Sequence, residues 1–193
     1  MTAPSVATRD RILDAAAASF MLHGYAGTGM KRLVADAAAP FGSIYHFFPG
    51  GKEQLAVEAV ERAGAGYHDL VLLVFDAEDE PVAGIRAVFE GAAVVLGGSG
   101  YADACPIATV ALEVASTNEP LRQATDRVFA SWLATITSRL VDAGVAVAAA
   151  RDTAIAVVSL LEGGFLLSRA ARSPEAMLAN GRAAVALVEA ALA

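Results

Sequence analysis

Apolar side chains recur every three or four residues along most of the chain, and no alternating run is long enough to argue for a strand. The first stripe is Ile12, Leu13, Ala16 and Phe20. It predicts a helix from about Thr8 to His23, with Thr8 as cap, Asp10 in the first turn and Gly24 as the stop. Met30, Leu33 and Val34 predict a short second helix beginning after Thr28, a good cap residue, with Lys31 and Arg32 on its outer side. Ala37-Ala38-Ala39 makes the next turn. Pro40 suits the opening of a third helix, and Pro49-Gly50-Gly51 must close it. That third helix has about two turns, too few to be stable alone, so its neighbours must hold it. Ile44 and Phe47/Phe48 share one face and can pack inward, leaving Ser43, Tyr45 and His46 to point elsewhere. Two short helices joined by a tight turn, the second rich in small polar groups, read as a helix-turn-helix.

The same period continues to the end of the chain. Leu55, Ala59, Ala63, Tyr67, Leu70 and Val74 predict a long fourth helix from Lys52 to about Phe75, followed by an acidic loop, Asp76 to Pro81. A fifth helix is expected over about Val82 to Leu96, with Gly97-Gly98-Ser99-Gly100 as a break. A sixth covers about Pro106 to Ser116, and a seventh starts at Asn118-Glu119-Pro120 and ends near Gly144. An eighth runs from about Ala148 to Arg172, and Ser173-Pro174 caps a ninth. The expectation is an all-α protein with a three-helix head over residues 1–50 and a larger helical body over residues 51–193.

Charge sharpens this division. The net charge is −7, which argues against a generally basic nucleic-acid binder. Residues 1–52, however, carry five Lys/Arg against three acids, and the remainder nine against eighteen. An acidic body with a mildly basic head suits a DNA reader whose body stays off the duplex. Hydrophobic residues make up 56% of the chain, yet the most apolar stretch, Ala143 to Leu167, is broken by Arg151, Asp152 and Glu162, so no membrane span is expected. Met1 to Ser5 shows no signal pattern, and a cytoplasmic protein is expected. Cys105 is the only cysteine, which excludes an intramolecular disulfide; a reactive thiol is one reading of it and a small buried or half-buried side chain the plainer one, since no Lys or His stands adjacent to activate it.

The segment Ala39-Pro40-Phe41-Gly42-Ser43-Ile44-Tyr45-His46-Phe47-Phe48-Pro49-Gly50-Gly51-Lys52-Glu53-Gln54-Leu55 resembles the recognition helix and following segment of tetracycline-repressor (TetR) type regulators. Its Pro-Gly-Gly-Lys form is similar to the LmrA/YxaF-like branch, as is Cys105-Pro106-Ile107-Ala108-Thr109-Val110-Ala111-Leu112-Glu113 in the body. The resemblance implies DNA contact by Thr28, Lys31, Phe41, Gly42, Ser43, Tyr45, His46 and Lys52. Ser43 is suited to a base edge; Thr28, Tyr45, His46 and Lys52 are suited to phosphates, which fix register without reading sequence. Two departures stand out: Phe41 occupies a position commonly Lys or polar, and Ala38 replaces a usual turn glycine. Phe41 can meet a thymine methyl or weaken phosphate binding.

In the body, Tyr67, Phe75, Phe89, Thr109, Glu113, Phe129 and Trp132 are candidates to line an apolar pocket for a small hydrophobic effector; they serve equally well as ordinary core. Ala154, Val158, Leu161, Gly164, Phe165 and Ser168 form a stripe beside Gly163-Gly164, and Gly181, Ala184, Val188 and Ala191 form another. Together they resemble the family's four-helix homodimer interface, with a contact inside the monomer as the alternative. His23, His46 and His68 have no metal-ligand spacing, and no nucleophile-elbow or phosphate-loop pattern is present, so neither an enzyme, a metal nor a cofactor is expected. The function expected is a homodimeric, ligand-released repressor on double-stranded operator DNA with half-sites ~34–36 Å apart. The rival is an all-α small-molecule-binding or catalytic protein that has lost operator binding.

Overall fold

Four helices of this chain end where the backbone turns left-handed. A computed structural model describes residues 6–193; Met1 to Ser5, and with them the expectation of no signal pattern, lie outside the described residues. Among the described residues there are nine α-helices and no strand. They are α1 (Val6–Gly27), α2 (Met30–Asp36), α3 (Gly42–Phe47), α4 (Gly51–Phe75), α5 (Pro81–Gly98), α6 (Pro106–Val114), α7 (Glu119–Asp142), α8 (Val147–Ala171) and α9 (Glu175–Leu192). The all-α class is therefore as expected. In α1 the backbone at Gly24 takes φ 70°, ψ 177°, so regular helix stops at the expected residue. Its start is earlier than expected: Thr8 lies inside the helix, buried, and its hydroxyl accepts from Arg11 Nη2 at 3.3 Å rather than capping.

Four of the helix ends close with the same pair of hydrogen bonds, one reaching back five residues and one three, around a residue with positive φ. After α2 they are Ala39 N to Val34 O and Ala38 N to Ala35 O; after α8 they are Ser173 N to Ser168 O and Arg172 N to Arg169 O. After α5 and α7 the positive-φ residue is glycine, Gly100 (61°) and Gly144 (102°). After α2 and α8 it is Ala38 (46°) and Arg172 (49°).

The chain folds as two compact units that do not follow a boundary at residue 50. One comprises residues up to Gly66 together with Cys105–Val128; the other comprises Tyr67–Ala104 and Phe129–Ala193. In the first, α1 packs against α2, α3 and α6. Ile12, Ala16 and Phe20 of α1, Leu33 of α2, Ile44 of α3 and Leu55 of α4 are all fully buried, so the predicted stripes are the core-facing ones. Gly64 matters here, because a Cβ on it would stand 2.4 Å from Val128 Cγ1.

In the second unit α9 packs on α8 and α5 around Phe89, Leu96, Leu140, Val157, Met177 and Val188. This corrects the expected dimer stripe. Ala154, Val158, Gly164, Ser168, Gly181, Ala184 and Val188 are buried within one chain. A Cβ on Gly164 would lie 2.8 Å from Met177 Sδ, and one on Gly181 would lie 2.7 Å from Phe89 Cβ. The Ser168 hydroxyl accepts from Met177 N at 3.0 Å. Leu161 and Phe165 pack on the same core. The small residues let α9 approach α8 and α5 in the same chain. A further correction concerns hydropathy: α5 and α8 are each long and apolar enough to cross a membrane by length and composition, although both pack in this core.

Candidate DNA-binding site

A six-residue helix with no capping side chain holds its shape only through what it buries. In α3 those anchors are Ile44, fully buried, and Phe48 just after it, also fully buried and lying under the Arg9 guanidinium at 5.4 Å from its ring centroid. Arg9 is also ion-paired to Glu58 of α4, which fastens the start of α1 to the helix following α3. The turn between α2 and α3 is held by Arg11, whose Nε donates to Ala37 O at 3.1 Å.

With Ile44 and Phe48 inward, the helical period sends Phe41, Gly42, Tyr45 and His46 outward, and all four are exposed. The rings of Phe41 and Tyr45 meet edge to face at 6.0 Å, with 48% and 53% of each residue open to solvent. Lys31 on α2 is exposed as well. Two expected contacts are corrected. Ser43 lies on the inward side of α3 and is 3% exposed, so its hydroxyl is not presented to a duplex. Thr28 is fully buried: its hydroxyl donates to Gly24 O at 2.7 Å and lies 3.0 Å from Ser19 Oγ. It braces the turn from within, and Gly29 rather than Thr28 stands at the N-cap of α2.

Lys52, in the first turn of α4, is half-buried with its Nζ 4.4 Å from the centroid of the Tyr25 ring, a cation–π contact. Burial lowers its pKa below the ordinary lysine value, and the nearby Glu113 carboxylate pushes the other way. Burial, then Glu53 and Glu113, raises the Tyr25 phenol above its ordinary value. Tyr25 belongs to this corner of the head although its sequence gave no signal for it. Glu113, expected in an effector pocket, is here too. Its Oε2 accepts from Tyr25 N at 2.6 Å and its Oε1 from Ala26 N at 2.7 Å.

The other expected effector residues are not one constellation. Thr109 lies in the same unit as the head, with its hydroxyl donating to Cys105 O at 2.9 Å. Phe89 is core, 1% exposed against Gly181. Phe75 packs against Gly84, where a Cβ would stand 2.7 Å from its ring. Phe129 and Trp132 form a perpendicular pair 5.5 Å apart in the second unit, which also contains Tyr67. A cleft of about 430 Å³ opens on α1, α2 and the turn after it. Its wall includes Arg11, Asp14, Leu22, His23, Arg32 and Asp36 and none of the expected effector residues. Among the described residues no group of His, Cys, Asp and Glu is placed to hold a metal ion.

Three helices packed through one buried side each, the short third one presenting an exposed face, define a helix-turn-helix protein of the regulator type. Residues 12–59 match the model for bacterial regulatory proteins of the tetR family, and residues 81–183 match the LmrA/YxaF-like transcriptional regulator C-terminal domain. The chain belongs to the tetR family of transcriptional regulators, in its LmrA/YxaF-like branch. It is 36% identical over 161 residues to the uncharacterized HTH-type transcriptional regulator YxaF of Bacillus subtilis, covering 83% of this chain and 84% of that one. To the HTH-type transcriptional regulator LmrA of the same organism it is 32% identical over 171 residues, covering 89% and 91%. A regulatory protein TetR from Rhodobacter sphaeroides superposes with a TM-score of 0.83 at 20% identity, covering 93% of this chain and 97% of that one, which speaks to the fold.

Proposed function

We propose that this regulator is a cytoplasmic homodimeric repressor, not an enzyme, whose residues 1–50 read operator DNA and whose residues 51–193 bind an effector and dimerise. The observation that carries the DNA half is the exposed face of α3. Phe41, Gly42, Tyr45 and His46 stand outward on a helix fixed by buried Ile44 and Phe48. Tyr45 and His46 are suited to phosphates, and Phe41 to a thymine methyl in the major groove. Lys31 and Lys52 supply charge, Lys52 at a helix start where backbone N–H groups already favour an anion. The two heads of a dimer would read half-sites ~34–36 Å apart.

For the dimer, the surface supported by this structure is the exposed side of α8 and α9. Ile155 and Leu166 are eleven residues apart, about three turns, and so lie on one face of α8; Leu167 is beside them and Leu187 is exposed on α9. For the effector, the candidates of the expected set are the Phe129–Trp132 pair and Tyr67, all three partly rather than fully buried. They favour a flat lipophilic molecule over an anion, as does the acid excess of the body.

The test is binding of a labelled duplex covering the region immediately upstream of the protein's own coding sequence, measured across a salt series. Specific binding with a steep salt dependence is expected, and Lys52→Ala should flatten the slope by about one unit for every Lys52 in contact. Binding no tighter than to an unrelated duplex would favour the rival, a helical small-molecule binder that no longer reads DNA.

A further inference from the structure

Glu113 is a carboxylate on α6, 88 residues away in sequence from the amide it grips most closely. It takes the N–H groups of two consecutive residues, Tyr25 and Ala26, one on each oxygen. Both bonds are short and charge-assisted, and the fork fixes the direction of the turn as well as its distance. The turn is shaped to admit it. Gly24 takes φ 70°, ψ 177°, a region closed to residues with a Cβ, and a Cβ there would lie 2.4 Å from Glu113 Oε2. The same turn then sets two other parts of the head. Gly24 O receives the Thr28 hydroxyl and Tyr25 O receives Thr28 N at 3.3 Å, two residues before α2 begins. The Tyr25 ring lies under Lys52 Nζ at the start of α4. One carboxylate thus fixes the turn from which α2 departs and the ring that carries Lys52.

We propose that Glu113 is a positioning residue for DNA binding: its carboxylate holds the Gly24–Ala26 turn so that α2 and Lys52 stand in the arrangement that meets the phosphates. This rests on the reading of the chain as a DNA-binding regulator. The helix that supplies the grip, α6, lies in the segment matched by the C-terminal domain, whereas the gripped turn lies in the segment matched by the tetR-family head. Both belong to one compact unit. A displacement of α6 therefore withdraws the carboxylate and loosens the turn directly.

The sign of a substitution separates this role from plain electrostatics. Glu113→Gln is nearly isosteric and removes one negative charge close to Lys52, so by charge alone DNA should bind tighter. As a positioning residue, Gln offers one oxygen and turns its NH2 toward the other amide, donor against donor, and DNA should bind more weakly. The bonds are at the surface, so the expected loss is roughly three- to tenfold at constant salt. The experiment is fluorescence anisotropy on the upstream duplex for wild type and Glu113→Gln. It is paired with ¹H–¹⁵N spectra and amide exchange of the full-length protein. Expected results are weaker binding by the variant, displaced Tyr25 and Ala26 amide resonances, and slow exchange of both amides in the wild type. Equal or tighter binding by Glu113→Gln overturns the proposal. So does fast exchange of both amides in the wild type, which needs no variant to fold. A wild type that leaves the duplex unbound sinks the DNA reading and this role together, whereas a wild type that binds beside an indifferent Glu113→Gln sinks this role alone.

Discussion

Replacing Ala38 by glycine should make the protein more stable, although it removes a methyl group and adds no contact. Ala38 stands where the chain leaves α2, at φ 46°, with Ala38 N bonded to Ala35 O and Ala39 N to Val34 O. A residue with a Cβ carries roughly 1–2 kcal/mol of strain in this region. Glycine removes that strain but loses about 0.5–1 kcal/mol more backbone freedom on folding. Ala38 is exposed, so its methyl contributes little burial. The net gain is about 0.5–1 kcal/mol, or roughly 1–4 °C in melting temperature for a chain of this size. The molecule contains its own controls. Arg172 takes φ 49° in the same motif after α8 and should respond to Arg172→Gly in the same direction, whereas Gly144→Ala, at φ 102°, should lower stability. Calorimetric melting of the three variants checks this. If Ala38→Gly melts at or below the parent temperature while Gly144→Ala falls as expected, strain at Ala38 is not what limits this turn.

Leu166→Glu should dissociate the proposed dimer with helical content retained, read by light scattering and circular dichroism; a dimer that persists would move the interface off that face of α8. Gly164→Leu should instead lower the melting temperature, because its side chain meets Met177 inside the same chain. Glu119 is gripped by Arg122 through two hydrogen bonds of 2.8 Å and by Gln123, and its pKa falls from 4.5 to about 2. Because the folded value is the lower one, the pair's contribution is present above pH ~4.5 and is lost as pH falls toward about 2. Carboxyl ¹³C shifts should show that midpoint, and Arg122→Ala should return it to the ordinary range; an ordinary midpoint in the parent would mean that the pair is not formed. Planar hydrophobic dyes should quench Trp132, the only tryptophan, at micromolar levels, about −8 kcal/mol of binding, and release DNA over the same range. Quenching without release at saturation would leave a pocket and no switch.

The helical period carried the fold, because a stripe of apolar residues states which side of a helix is buried. It does not state what buries it. The small residues of α8 and α9 were visible in the sequence as a surface for close approach, and the alternative partners were a second chain or a neighbouring helix. Met177 and Phe89, which fill the spaces beside Gly164 and Gly181, settle the matter within the chain. The same limit applies to Thr28 and Ser43. Both have the chemistry of phosphate or base contacts, and residue type alone does not separate a hydroxyl aimed at DNA from one spent on Gly24 O. Glu113 illustrates the longer-range case. Its partners are backbone amides 87 and 88 residues away, and backbone groups leave no trace in residue identity. Gly24 was legible as a helix stop; that it also makes room for a carboxylate was not.

The basic excess of the head is smaller in the folded protein than in the count of its side chains. Arg9 is paired with Glu58, Arg32 with Asp36 at 3.6 Å, Arg11 is bound to Ala37 O, and Lys52 lies over Tyr25 with Glu113 nearby. Arg11, Lys31 and Lys52 have no ion pair among the described residues, and of these Lys31 stands exposed on α2. A cation shared with a carboxylate neutralises a phosphate less fully and releases fewer counterions, so non-specific affinity should be modest. The proposed reading face compensates in a different way. Phe41 and Tyr45 keep about half of their surface in water, an arrangement that costs free energy in the unbound protein and is relieved when the rings are covered. Covering them against base edges and methyl groups rewards only sequences that present those groups in register, since a hydrated cytosine edge offers the Phe41 ring nothing comparable. On the proposed reading, Phe41 in place of a cation would shift the balance from salt-sensitive attraction toward selectivity.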